Sequence, residues 1–119
     1  MPFRSIMKEL VGSTRGATGA IFVDWEGEAV DQYTTEDELF HLKVVGAHKC
    51  VILELINDAK KALKNEKVES VTIKMENYNV LLGPVKDGYF VAVILKPEAI
   101  ISEARHRMMK AVAALKKEM

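Results

Sequence analysis

The sequence predicts an α+β fold built on a five-stranded antiparallel sheet, and three observations carry that expectation. The stretch 68–96 reads as three strands joined by two short turns. In its first part Val71, Ile73 and Met75 alternate with Ser70, Thr72, Lys74 and Glu76, the period of a strand with one apolar face. Its last part, residues 89–95, is Tyr-Phe-Val-Ala-Val-Ile-Leu and does not alternate. A strand apolar on both sides must be covered on both sides, which places it inside the sheet. A second non-alternating run, Ala20-Ile-Phe-Val23, is the other candidate for a central strand.

The remaining elements follow in order. Phe3, Ile6, Met7, Leu10 and Val11 recur at intervals of three and four, one stripe of an amphipathic helix. Pro2 near its start and Gly12 at its end fit the usual terminal asymmetry. Residues 15–19 read as a loop before the run 20–23. Asp24-Trp25-Glu26-Gly27 fits a type I turn, with Asp first and Gly fourth, and residues 28–34 return as a more polar, outer strand. Asn77 marks the first break in the stretch 68–96. Asp87-Gly88 marks the second, a dipeptide suited to a tight hairpin because Gly accepts positive φ. Pro97 and Glu98 open a last helix with an inward stripe of Ile101, Ala104, Met108, Ala111 and Leu115. The methionines read as core filler.

Between the two sets of strands lies a long helix. Thr35-Glu-Asp-Glu38 is a capping-box pattern, and its acids suit the helix dipole. The helix is expected to run to about Asn65. One face carries Val44, Val45, Ile52, Leu55, Ile56, Ala59, Ala62 and Leu63. A second stripe lies roughly opposite: Leu39, Leu42, Gly46, Cys50 and Leu53. A helix buried on one side only would not carry both. The second stripe, left in water, is the kind of contiguous apolar patch that monomers seldom expose. Gly46 on it would permit close backbone approach.

Composition bounds the function. The 119 residues suffice for a single domain, 1–119, with a real core. Hydrophobic residues make up 49% and charged residues 29%, a globular balance. Formal net charge is zero, so bulk electrostatics makes no case for nucleic acid. The charge is unevenly spread: from Asp24 to Glu38 there are seven acids and no Lys or Arg, whereas Arg105, Arg107, Lys110, Lys116 and Lys117 follow Lys96. A lone cysteine, Cys50, excludes an intrachain disulfide and fits a reducing compartment. No apolar run approaches the roughly 20 residues that span a bilayer, and no secretory pattern opens the chain. The expectation is a cytoplasmic protein without membrane insertion.

Catalytic and metal-binding constellations are sparse. His41 and His48 are seven apart on the expected helix, roughly 10 Å, too far to share one metal ion. His48 and Cys50 point to different faces, and apolar surroundings favour an inert Cys50 thiol. Residues 12–19 are glycine-rich but follow a helix and enter a strand, the reverse of a phosphate loop. Asp24, Glu26 and Glu28 cluster on a turn and read as solvated acids. Nothing in the spacing selects Arg15 or Arg105 as a catalytic arginine. No catalytic residue, cofactor or metal is expected, and the chain does not read as an enzyme.

The element order, the hairpin Gly19-Ala-Ile-Phe-Val-Asp-Trp-Glu-Gly27 and the helix start Ala99-Ile-Ile-Ser-Glu-Ala-Arg105 resemble the Roadblock/light-chain-7 family, which includes the bacterial MglB-type proteins. The similarity covers nearly the whole chain. Ser102 stands where the family often has Gly, while Arg105 is kept. With the two apolar runs adjacent, the resemblance implies strand order 2-1-5-4-3, with the end helices on one face and the long helix on the other. It also implies a partner: a small Ras-like GTPase, held by a homodimer or by a pair with a paralogue. Some members accelerate GTP hydrolysis by positioning the GTPase's own residues, and others serve as scaffolds. The dimer has support in the residues too. The half-polar strand at Ser70, Val71, Thr72, Ile73 and Lys74 is an expected edge that invites another chain. The helix stripe Leu39, Leu42, Gly46, Cys50 and Leu53 would close over the join. A profilin-like or PAS-like small-ligand sensor is the alternative, and its pocket would need polar residues among inward positions that are almost uniformly aliphatic.

Overall fold

Residues 20–23 and 90–95, the two uninterrupted apolar runs, pair side by side at the centre of the sheet. A computed structural model describes residues 2–26, 28–35 and 70–119. Over these residues the elements are helix α1 (Pro2–Ser13), strands β1 (Ala17–Val23), β2 (Ala29–Thr34), β3 (Val71–Lys74), β4 (Asn79–Pro84) and β5 (Phe90–Leu95), and helix α2 (Ile101–Glu118). The sheet is antiparallel with the order β2-β1-β5-β4-β3. The fold is thus α+β, with the strand order the sequence led us to expect. The long central helix lies outside the described residues.

Alternation along the central strands builds two apolar layers. Ala20, Phe22, Leu81, Val91, Val93 and Leu95 face the side on which α1 and α2 pack, meeting Met7, Leu10, Met108 and Leu115. Phe22 anchors this layer, its ring 5.2 Å from that of Phe3 and 5.6 Å from that of Tyr89. Burying such a ring contributes about 1.5–3 kcal/mol. The opposite face carries Ile21, Val23, Val80, Leu82, Phe90, Ala92 and Ile94, all buried, with Val71 and Ile73 against them. Both described helices lie on the first face.

Of the boundaries that differ from the sequence reading, the edge strand expected over 70–76 shortens to β3 (Val71–Lys74), and two others differ for a visible reason. Residues 17–19, expected as loop, belong to β1. Thr18 is the extra residue of a bulge, since Ala17 faces Leu95 and Gly19 already faces Ile94. Its hydroxyl donates to the Ile94 carbonyl, and its own carbonyl accepts from the Thr35 N–H at 2.9 Å. Neighbours on both sides therefore satisfy a Thr-Gly step that alone reads as irregular. The last helix begins at Ile101 rather than Pro97. The Lys96 N–H donates to the Gly16 carbonyl at 2.8 Å and the Ala99 N–H to the Lys96 carbonyl at 3.0 Å, holding residues 96–99 in a turn.

Two close approaches set the geometry. The hairpin between β4 and β5 turns at Asp87 and Gly88, with φ of 54° and 83°, the paired positive values of a type I′ turn. Trp25, on the β1–β2 turn, lies so close that a Cβ on Gly88 would sit 2.8 Å from its own Cβ. On β4, Gly83 leaves room for α2: an added Cβ would fall 2.9 Å from Met108 Cε.

Candidate interaction surface

Strand β3 ends the sheet, and among the described residues no strand lies outside it. Its register against β4 pairs Val71 with Leu82, Thr72 with Leu81, Ile73 with Val80 and Lys74 with Asn79. At the hairpin end the Met75 N–H donates to the Tyr78 carbonyl at 3.0 Å. Hydrogen-bonded and non-hydrogen-bonded pairs alternate along an antiparallel ladder. Val71 and Ile73 therefore spend their backbone groups on β4, whereas Thr72 and Lys74 turn theirs outward. Ser70, just before the strand, is half-buried, as are Val71, Thr72 and Ile73, while Lys74 is exposed. Among the described residues the strand thus offers an outward row of unpaired N–H and C=O groups, with no Pro and a single Lys to discourage pairing.

Side chains on the two faces of β3 differ. Val71 and Ile73 join the apolar layer away from the helices. Thr72 faces the helix side, where the Arg105 guanidinium donates to its hydroxyl at 3.5 Å. That contact was not legible in the sequence, because it joins residues 33 positions apart and depends on where α2 crosses the sheet. Leu39, Leu42, Gly46, Cys50 and Leu53, the other half of the expected interface, lie outside the described residues, as do His41 and His48.

The acidic hairpin is partly structural. Asp24 Oδ1 accepts from the backbone N–H groups of Glu26 and Glu28, both at 2.9 Å, and so closes the β1–β2 turn. Asp31 pairs with Arg4 at 3.2 Å, a contact worth under about 1 kcal/mol with the arginine largely in solvent. Among the described residues no group of three His, Cys, Asp or Glu is placed to hold a metal ion. No described helix is long and apolar enough to cross a membrane.

A meander-containing five-stranded sheet in this order, with its end helices on one face, is the Roadblock/LC7 fold. The Roadblock/LC7 domain from Streptomyces avermitilis superposes with a TM-score of 0.83 at 16% identity, covering 97% of this chain and 95% of that one. Myxococcus xanthus MglB superposes with a TM-score of 0.84 at 13% identity, over 98% of this chain and 86% of that one. The structure of LokiProfilin2 in complex with rabbit actin matches less closely, with a TM-score of 0.67 at 18% identity, over 97% and 96%. No family model and no curated sequence matches the chain, so the likeness is one of fold.

Proposed function

We propose that the chain is a dimeric interaction module that binds and regulates a small Ras-like GTPase, as an activator or a scaffold. The observation that carries the dimer is the open β3 edge; the GTPase follows from the family that the sequence resembles and whose fold the chain adopts. In this reading β3 pairs antiparallel with its copy across a two-fold axis, so that one sheet runs through both subunits. Thr72 and Lys74 supply the outward backbone groups.

Magnitudes say what else the dimer needs. A backbone hydrogen bond contributes about 0.5–1.5 kcal/mol net, so the few bonds of a four-residue strand give only several kcal/mol. Association costs roughly 4–15 kcal/mol in lost freedom. The strand alone does not hold two chains together, and the stripe Leu39, Leu42, Gly46, Cys50 and Leu53 is assigned the remainder. A paralogue with the same edge and stripe would serve as well as a second copy.

On this reading the module supplies no catalytic group and takes no cofactor; it positions residues of the GTPase. A profilin-like or PAS-like small-ligand sensor is the second reading; the profilin likeness supports its shape alone, since that neighbour was solved with actin rather than a small ligand. The layer between the sheet and the two described helices argues for the first, since Met7, Phe22, Leu95, Met108 and Leu115 fill it with buried side chains. The test is a cytoplasmic pull-down with GTP-analogue and GDP added in separate arms. Capture of a Ras-like GTPase in either arm supports the proposal; capture of none in both contradicts it.

A further inference from the structure

Helices α1 and α2 leave a groove between them on the outer side of their layer. Ile6 and Leu10 of α1 with Ala111 and Ala114 of α2 form its apolar lining, and Arg107 and Lys110 flank it opposite Glu9. Its volume is about 270 Å³, below the roughly 300–1,000 Å³ of sites for drug-sized ligands. A nucleotide or flavin is too large, whereas one or two aliphatic side chains fit. The small side chains of Ala111 and Ala114 provide the room. Arg107 Nε is buried without a hydrogen-bond partner among the described residues. A carboxylate in the groove would meet the guanidinium's terminal N–H groups, whose fork it matches.

We infer that this groove docks a short acidic–aliphatic segment of a partner protein, with a carboxylate on Arg107 and a leucine-sized side chain between the helices. The charge is complementary but modest: two cations against Glu9 favour a monoanionic carboxylate over a more highly charged phosphate. The site is separate from the β3 edge. At 100° per residue, Arg107 leaves α2 about 200° from Arg105, which reaches Thr72. Among the described residues the groove therefore lies away from the β3 contact, and the inference stands without the GTPase reading.

Fluorescence anisotropy of the full chain tests it, with a short fluorescein-labelled leucine–glutamate peptide and its leucine–lysine counterpart as probes. The glutamate peptide is expected to bind saturably and the lysine peptide not to bind. Arg107→Gln should weaken binding about tenfold or more through the lost charge-assisted bond. Ala114→Trp should fill the groove and abolish binding. Should Ala114→Trp fail to fold, exposed Lys110→Glu carries the same test, reversing one charge at the rim without touching the core. Equal binding of both peptides, no saturation of either, or unchanged affinity in Arg107→Gln and Lys110→Glu would overturn the assignment.

Discussion

Arg105 donates to the hydroxyl of Thr72 across 3.5 Å and so ties the C-terminal helix to the outermost strand of the sheet. Both groups are solvent-accessible and the bond is long, so it contributes little to folding. Arg105→Ala is expected to change the unfolding free energy by less than about 1 kcal/mol, as read by urea titration. A larger loss would mean that α2 depends on β3 for its placement.

The outward turn of Thr72 and inward turn of Ile73 separate two proline substitutions. Thr72→Pro removes an N–H that faces away from β4 and is expected to leave the fold intact while weakening the proposed dimer by about tenfold or more. Ile73→Pro removes a bond to β4 and is expected to destabilise the fold itself. Sedimentation paired with thermal melting distinguishes them. Equal melting losses in the two variants would contradict the register assigned to the β3 ladder.

Met108 is fully buried against Gly83. Met108→Ala leaves a cavity between α2 and the sheet and is expected to cost about 2–5 kcal/mol in chemical denaturation. The exposed neighbour Met109 makes the control, since Met109→Ala removes little buried surface. A smaller loss for Met108→Ala than for Met109→Ala would overturn the packing described for α2.

Gly88→Ala meets two penalties at once: a φ of 83° and a Cβ 2.8 Å from that of Trp25. It is expected to cost about 1 kcal/mol or more. Asp87→Asn, at a φ of 54°, should be nearly neutral because Asn accepts the left-handed region. Trp25 fluorescence during denaturation reports both, and an unshifted midpoint for Gly88→Ala would count against the contact between the two hairpins.

The sheet was legible because burial on both faces leaves a mark on composition. A strand in the middle cannot afford polar positions, and residues 20–23 and 89–95 have almost none; that alone placed them at the centre. The Asp87-Gly88 turn was legible because few residues accept its backbone angles. Residues 17–19 were not, since a Thr-Gly step looks like loop until strands on both sides satisfy it. The start of α2 was missed for a related reason. Pro97 is compatible with a first helical turn, but the bond from Lys96 to the Gly16 carbonyl is a long-range contact with no local signal. At the candidate interface, the edge position of 71–74 could be read from alternation, whereas the approach of Arg105 could not. The groove between the helices was invisible for the same reason: Arg107 and Lys110 read as part of a basic tail until α1 is set beside them.

The dimer is the central claim of the proposed function, and sedimentation equilibrium of the wild-type chain at tens of micromolar tests it most directly. The account predicts a species of twice the chain mass, reduced to monomer or driven to aggregate by Leu53→Glu, which would bury an unpaired charge in the helix contact, and left intact by exposed Lys117→Glu. A wild-type protein that sediments as a monomer at that concentration would contradict it.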